Sequence, residues 1–143
     1  MSNNEMDEKY AAGMKVRRRI LGEAHVDKAV ENTTPLNKEF QDMLTLYGWA
    51  DVWGRDGFDY RTRRILVLGT MMALGRWEEY VMHLRAALRD NFSLEDIKEI
   101  MLQQAIYCGL PVSNTSYHHL NAVIEELEAE GVELNWGSLK PDA

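Results

Sequence analysis

Glu79 and His83 are the residues whose types and spacing best suit acid–base chemistry in this chain. They stand four residues apart in the run EEYVMHLRAAL, which has the apolar periodicity of a helix. On a helix the two side chains can touch, so a carboxylate can orient the imidazole and hold one tautomer. An imidazole that titrates near neutral pH can then deliver or collect a proton. The alternative interpretation is a surface pair worth about 0.3 kcal/mol, lying well off the apolar stripe of its helix.

Two further histidines, His118 and His119, are adjacent in the run SYHHL. Helical spacing predicts that His118 lies nearly opposite the apolar stripe of its helix and that His119 lies at its flank. His118 would therefore face solvent unless another subunit covers it. Adjacent histidines point in different directions along a helix, and no pair of histidines has i, i+4 spacing. We therefore predict no metal site.

Cys108 is the only cysteine. A single thiol excludes an intramolecular disulfide and any redox reaction that needs two thiols of one chain. Its place at the end of an apolar helix predicts a small buried thiol rather than a nucleophile. The sequence also has no nucleophile elbow and no phosphate-binding glycine loop. Residue chemistry alone thus indicates a helical soluble domain with one acid–histidine pair.

The composition of the 143 residues is that of an ordinary globular protein, with 45% hydrophobic residues and a net charge of -7. No run approaches the ~20 apolar residues of a membrane span, and the polar, acidic start lacks the features of a secretory signal. We therefore expect a soluble, cytoplasmic protein with no membrane partner. The negative charge argues against nucleic acid. The one basic cluster, Lys15 with Arg17 to Arg19, is interpreted as a solvated helix face.

The hydrophobic pattern predicts a single all-α domain over residues 1–143, with about six helices and a core over about 34–130. The first helix is expected over 6–21, ended by Gly22. A second begins at Thr34 and Pro35 and is capped by Gly48. The run WADVWGRDGFDYR lacks a period and is predicted to be a long connection.

The remaining helices follow in the second half of the chain. Apolar residues surround the segment 62–74, which predicts a helix central to the core, whereas 77–89 has one apolar face. Ser93 and Asp96 form a capping box for the next helix, which the run GLP ends. A last helix is expected from about 113 to 130. The tail 131–143 is predicted to be loosely attached, although Leu134 and Trp136 could dock.

Five runs carry a resemblance to a known family. They are AGMKVRRRILGEAHVD, EFQDMLTLYGWADVWGRDGF, RTRRILVLGTMMALGR, EEYVMHLRAAL and EDIKEIMLQQAIYCGLPVSNTSYHHL. In order and spacing they closely resemble the 4-carboxymuconolactone (gamma-carboxymuconolactone) decarboxylase family of the alkyl hydroperoxidase D-like superfamily. The likeness extends over about residues 8–127. It implies a helical fold assembled as a ring-like homo-oligomer, typically a hexamer, in which polar residues can be buried between subunits.

The resemblance also implies the reaction. It is the cofactor-free decarboxylation of 4-carboxymuconolactone, a small unsaturated lactone with two carboxylates, to the enol-lactone of 3-oxoadipate in the bacterial breakdown of protocatechuate. In the peroxidase branch of the superfamily two cysteines and a histidine occupy the positions of Arg76, Glu79 and His83. Because Glu79 stands where the peroxidases have their second cysteine, the resemblance argues against peroxidase activity.

The expected site follows from the same resemblance. His83 would protonate the dienolate carbon or donate to the lactone oxygen, Glu79 would hold the imidazole in place, and His118 would be a second donor. Arg63 and Arg85 match family positions and could anchor the retained carboxylate with two hydrogen bonds. Arg55, beside Trp53, is a third candidate for that role. Whether His25 reaches the site of a neighbouring subunit or only caps its own segment is left open.

Three rival interpretations differ in class. The same fold could act on another small lactone or keto acid, since residue positions alone do not determine a substrate. A thiol peroxidase would depend on Cys108. A non-enzymatic helical assembly module would form the oligomer and turn over no lactone.

Overall fold

The computed structural model describes residues 1–140, and most of these residues lie in helices joined by short connections. No strand occurs within that range, so the all-α prediction is confirmed. The α-helices and the one π-helix in this range are α1 (Asn3–Leu21), α2 (Glu23–Glu31), α3 (Lys38–Met43), the π-helix (Leu44–Trp53), α4 (Tyr60–Leu74), α5 (Trp77–Arg89), α6 (Leu94–Tyr107) and α7 (Leu110–Ala129).

The chain divides into two compact units. The first, Met1–Tyr60, holds α1 to α3 and the π-helix, and the second begins at Arg61 and holds almost all of α4 together with α5 to α7. The prediction of one domain over residues 1–143 stays a prediction. Among the described residues, no helix combines the length and the apolar character that crossing a membrane requires.

Helix α1 begins earlier than predicted because Ser2 and Glu5 form a capping box at its start. It ends where predicted, at Gly22, whose φ of 91° a residue with a side chain rarely adopts. Its buried residues are Gly13, Arg17, Ile20 and Leu21. The interpretation of the basic cluster as a solvated face is therefore wrong for Arg17, because that residue follows Gly13 by four positions and shares its buried face.

The π-helix overturns the predicted cap at Gly48. Helical structure continues through this glycine to Trp53, so only residues 54–59 remain of the predicted connection. The physical reason is burial: Thr45, Trp49 and Trp53 recur every four residues and all are buried. The start was also misplaced, because residues 35–37 form a turn and α3 begins at Lys38.

Four helices and the chain end build the core of the second unit. Its fully buried members include Leu68 and Met72 of α4, with Tyr80, Leu84, Ile97, Met101, Val123 and Leu127 from the later helices. Helix α7 packs against both α5 and α6. The prediction that α4 is central is wrong, since Leu66 and Leu74 are 53% and 67% exposed. Only one face of α4 meets this core, and its other apolar face remains uncovered.

The ends of α6 and the attachment of the tail are set by specific hydrogen bonds. Ser93 and Asp96 form the predicted capping box, and α6 ends before GLP. Helix α7 starts three residues earlier than predicted, with proline in its first turn. Leu134 and Trp136 pack against the core, and the Leu94 N–H donates to the Asn135 carbonyl at 2.8 Å. The prediction of a loose tail is wrong for residues 131–140, and 141–143 lie outside the described residues.

Candidate active site

Helix α5 places Glu79 and His83 one turn apart, as the sequence predicts. The helix is held by a buried face that includes Tyr80, Leu84 and Leu88, each no more than 1% exposed. It starts after Arg76, whose carbonyl accepts the first helical hydrogen bond from the Tyr80 N–H at 2.9 Å. Both candidate residues therefore project from a rigid element rather than from a loop.

His83 is buried, with only 8% of its surface exposed. The alternative interpretation of a solvent-exposed surface pair is therefore wrong for His83. His83 lies about 40° around the helix from Ala87, which is fully buried, so the buried face of α5 is wider than its apolar stripe. Its Nδ1 atom is shielded from solvent. A buried imidazole near a carboxylate suits proton transfer to a bound substrate.

Glu79 is held as an anion by Arg76. The Arg76 Nη2 atom donates to Glu79 Oε1 at 2.8 Å. This hydrogen bond, chiefly, lowers the pKa of Glu79 below its usual value, and the charges of Arg76 and His83 act in the same direction. The Glu79 side chain remains 36% exposed. A carboxylate with a depressed pKa accepts hydrogen bonds and cannot act as the acid at neutral pH.

An aromatic cluster lies on the same helix and on α7. The rings of Trp77 and His119 stack at 5.2 Å with an angle of 21°, and Tyr80 contacts His119 edge-on. The Tyr80 hydroxyl donates to the Ser116 carbonyl at 3.4 Å, and burial raises the pKa of Tyr80. The phenol therefore stays neutral. His119 is engaged in packing, whereas His118 is exposed on α7, as the helical spacing predicts.

The candidate anchoring arginines of the second unit differ in their surroundings. Arg85 donates to Glu126 at 2.5 Å and to Glu130 at 2.6 Å, which ties α5 to α7. Arg63 is half-buried on α4. Its neighbour Arg64 is 3% exposed and forms a salt bridge of 3.1 Å with Asp90. Arg64 therefore has a structural role in joining α4 to the end of α5.

Trp53 and Arg55 belong to the first unit, whereas Arg63, Glu79, His83, Arg85 and His118 belong to the second. Trp53 is buried and packs on Trp49, with ring centroids 5.3 Å apart. Arg55 is exposed in the loop that follows. Both residues line an open cavity of about 340 Å³ together with Phe58 and Tyr60. An arginine beside aromatic walls is a suitable surface for a flat carboxylate.

Cys108 ends α6 and is half-buried. The Gln104 side-chain amide lies 3.6 Å from its sulfur and donates at 3.0 Å to the Gly69 carbonyl. These contacts favour a packing role for Cys108 over the role of an exposed nucleophile. Among residues 1–140, no group of three or more histidine, cysteine, aspartate or glutamate side chains is arranged to hold a metal ion.

Comparison with known proteins decides the family. The model of the carboxymuconolactone decarboxylase family matches residues 38–122, which is more than half of the chain. The chain belongs to the carboxymuconolactone decarboxylase family. The matched segment contains the candidate catalytic and substrate-binding residues from Trp53 to His118, excludes His25, and ends before the last turns of α7.

Three relatives give the family more detail. The chain is 36% identical over 121 residues to a 4-carboxymuconolactone decarboxylase of Acinetobacter baylyi, covering 85% of this chain and 90% of the relative. It is 34% identical over 111 residues to nitrosuccinic acid decarboxylase npaB of Metarhizium robertsii, covering 77% of this chain and 78% of that one. A 4-carboxymuconolactone decarboxylase of Pseudomonas putida is 52% identical over 48 residues, which are all of that relative and 32% of this chain.

Arg76 and Arg17 were named from the sequence, but the contact of Arg76 with Glu79 and the burial of Arg17 were not predicted. Arg76 precedes Glu79 by three positions, a spacing at which side chains on a helix meet, and this signal could have identified it as the partner of the carboxylate. Arg17 carries a similar signal, since it stands between Gly13 and Ile20 on the buried face of α1.

Proposed function

We propose that this protein is a cofactor-independent carboxy-lyase that converts 4-carboxymuconolactone to the enol-lactone of 3-oxoadipate in aromatic catabolism. Family membership and the names of two relatives support the reaction class. The observation that carries the proposal is the position of buried His83 on α5, one turn from a Glu79 carboxylate whose pKa Arg76 lowers. A cytoplasmic location, expected from the sequence, is part of the same proposal.

The substrate can act as its own electron sink. The departing carboxylate is attached to a tetrahedral ring carbon, and a carbon–carbon double bond lies between that carbon and the lactone carbonyl. When the bond to the departing carboxylate breaks, carbon dioxide leaves and the electron pair moves through the ring to the carbonyl oxygen as an extended enolate. The chemistry left for the protein is to bind the retained carboxylate, stabilise the oxyanion and supply a proton to carbon.

His83 supplies that proton in the proposed mechanism. Protonated His83 donates to the ring carbon next to the lactone carbonyl, which restores the carbonyl and forms the enol-lactone. Glu79 accepts a hydrogen bond from the imidazole, holds its orientation and stabilises its positive charge. Water then returns a proton to the imidazole, so atoms and charges balance over one turnover. His118, exposed on α7, is proposed as the second donor, and it would act from a covered site in an assembly.

Arg63 is the proposed anchor of the retained carboxylate, with Arg55 beside Trp53 as the alternative. Arg85 already donates to two glutamates of α7, so binding substrate would require it to leave at least one of them. Its assignment as an anchor stays a prediction. An arginine is suited to the task because its planar fork donates two parallel hydrogen bonds to one carboxylate.

A homo-oligomer, in the form of a hexamer, is proposed as the functional state. Apolar side chains on α4, α6 and the start of α7 are at least half exposed, namely Leu66, Leu74, Leu102, Ile106, Tyr107 and Leu110. Apolar surface of this extent is typical of an interface between subunits. Burial there would also exclude water from side chains that a single chain leaves at its surface.

The test is carbon dioxide release from freshly prepared 4-carboxymuconolactone by the purified protein without added metal or cofactor. We expect the wild type to release it rapidly and His83→Gln and Glu79→Gln to lose about a hundredfold or more in kcat, as general acid–base groups do. Both variants must retain the wild-type helix content and oligomer. Full turnover in both folded variants would contradict the roles assigned to the two residues.

Nitrosuccinic acid is the second substrate to assay, because a relative at 34% identity is named for its decarboxylation. Both acids carry an electron-withdrawing group that can accept the electron pair of the departing carboxylate. If the wild type turns over nitrosuccinic acid and leaves the lactone at its spontaneous rate, the site keeps its chemistry and the proposed substrate is wrong.

A further inference from the structure

Arg17 is a buried arginine in the first unit whose hydrogen-bonding groups are only partly used. It lies on the buried face of α1 and is 6% exposed. One terminal nitrogen donates to the Gln41 side-chain oxygen at 3.1 Å. The Nε atom is buried and has no hydrogen-bond partner among the described residues. A buried donor without an acceptor is unfavourable, and for a charged group more so.

The charge of Arg17 also lacks a counterion. No carboxylate of residues 1–140 lies within salt-bridge distance of its guanidinium, although its neighbour Arg18 is bound to both Glu23 and Asp27. Burial lowers the pKa of Arg17, and the nearby charge of Arg18 lowers it further. The pKa of His25 is lowered by burial and then by Arg17 itself. The buried Arg17 guanidinium therefore lacks a carboxylate partner of its own, which an anion could supply.

A cavity of about 550 Å³ opens next to this group. Arg17 and Gln41 form part of its wall, and much of the rest is apolar, from Tyr10, Val30 and Leu46. This volume is that of a site for a small organic molecule. A polar end that carries a cation, set against apolar walls, is suited to a ligand with one charged group and an apolar body.

Acidic groups limit the charge that the cavity can accept. Asp7 and Asp42 also line it, and Lys38 is bound to Asp42 at 2.5 Å. The net charge of the four ionised lining residues is therefore close to zero, and Arg17 supplies the one cation that is buried and unpaired. A dianion such as phosphate would be repelled by the two aspartates, whereas a single carboxylate can bind Arg17 alone.

We infer that this cavity is a binding site for a small organic monocarboxylate with an apolar body. The carboxylate accepts hydrogen bonds from the terminal nitrogens of the Arg17 guanidinium, in the two-point geometry that arginine favours. The apolar body lies along Tyr10 and Leu46. The site uses residues of the first unit only, and Arg17 precedes the segment matched by the family model. The inference does not depend on the proposed decarboxylation.

The test is binding of benzoate to the full-length protein, measured by calorimetry and by thermal unfolding, with benzamide as the uncharged counterpart. We expect benzoate to bind and to raise the melting temperature of the wild type, and benzamide to do neither. Arg17→Met should bind benzoate about tenfold or more weakly, because it loses two charge-assisted hydrogen bonds. Without benzoate it should melt no lower than the wild type, since the substitution removes an unpaired buried charge.

Two further variants make the result specific. Lys15→Met removes a charge from the exposed side of the same helix and should bind benzoate like the wild type. Arg17→Lys keeps the charge and loses the planar fork, so it should bind benzoate more weakly than the wild type even if Arg17→Met fails to fold.

Several results would overturn the inference. Benzoate binding that persists unchanged in Arg17→Met and Arg17→Lys lies at another site. Equal binding of benzamide would show that the carboxylate is not recognised. If the wild type binds no benzoate and Arg17→Met dissociates the oligomer, the anion beside Arg17 belongs to a second copy of the chain and the cavity is not a ligand site.

Discussion

Arg76 Nη2 lies 2.8 Å from Glu79 Oε1 at the start of α5, and this contact stabilises the ionised form of Glu79. The arginine precedes the helix and the glutamate stands in its first turn. A carboxylate in that position is also favoured by the helix dipole. The pair therefore presents His83 with an anion rather than with a neutral acid, which is the state that can orient an imidazolium.

Arg76→Gln should shift the acid side of the pH–activity profile. Arg76 lowers the pKa of Glu79, so its removal raises that pKa toward the usual value for glutamate. Glu79 then takes up a proton at a higher pH, and activity is lost at a higher pH as the solution is made more acidic. The measurement is kcat/KM for carbon dioxide release between pH 3.5 and 8, values chosen to span the titration of a glutamate.

Arg89→Gln is the matched control for that experiment, because it removes an arginine–glutamate pair at the opposite end of α5. The decrease of kcat/KM at acid pH should follow the same curve in Arg89→Gln as in the wild type. If the two variants shift the profile equally, the effect is one of overall charge and the specific role of Arg76 is wrong.

Arg63→Gln should raise KM for the lactone about tenfold or more, with a smaller effect on kcat, because it removes a two-point contact to the retained carboxylate. Arg85→Gln should instead act mainly on stability, since Glu126 and Glu130 lose their shared partner and repel one another. The measurement is steady-state kinetics together with the melting temperature of each variant. A large rise in KM for Arg85→Gln alone would transfer the anchoring role to Arg85.

Asp96→Asn should lower stability at neutral pH by about 1–2 kcal/mol, and the difference should vanish in acid. Arg61 binds Asp96 through two hydrogen bonds of 2.6 and 2.7 Å and, with the Ser93 cap, lowers the pKa of Asp96 to about 2. Since the folded-state pKa lies below the unfolded value, the stabilisation is complete above about pH 4 and is lost as pH falls through about 2.

Urea unfolding of Asp96→Asn and the wild type at a series of pH values is the measurement. Glu99→Gln, an exposed change on the same helix, serves as the control and should leave stability almost unchanged. A constant difference between Asp96→Asn and the wild type from pH 7 to pH 2 would show that the ion pair and cap contribute nothing through the charge of Asp96.

Gly13→Ala should destabilise the first unit. A methyl group at this position would overlap the carbonyl oxygen of Thr45 and contact Ala50. Backbone cannot move aside as a flexible side chain does, so α1 and the π-helix must separate, at a cost of about 1–3 kcal/mol. Thermal unfolding followed by circular dichroism measures it. Gly48→Ala, where an added methyl meets no atom within 4 Å, should change the melting temperature little.

Ile106→Glu should dissociate the homo-oligomer proposed above. Ile106 is 78% exposed on α6, and a carboxylate there would oppose burial of this apolar surface between subunits. Light scattering of the eluted protein should give a smaller mass for this variant, whereas Lys98→Glu, elsewhere on α6, should keep the wild-type mass. An unchanged mass for Ile106→Glu would place the interface on another surface.

The sequence by itself determined the helical class and the spacing of the candidate residues. Periodicity at 3.6 residues identified most of the helices, because the apolar stripe of an amphipathic helix is formed by residues three or four positions apart in the sequence. The Ser93–Asp96 capping box and the end of α1 at Gly22 were predicted correctly, since caps depend on residues that are close in sequence. The resemblance to the family came from runs of residues, and the family model confirmed it.

Only the tertiary structure decided which polar residues are buried. His83 and Arg17 look like exposed groups on a helical projection, yet each is less than 10% exposed in the folded chain. The tertiary structure also decided where the helix around Gly48 ends. Trp49 and Trp53 are buried, and the helix continues past Gly48 although glycine commonly ends a helix. Burial depends on contacts between segments that are distant in sequence, and the local periodicity of one helix does not predict those contacts.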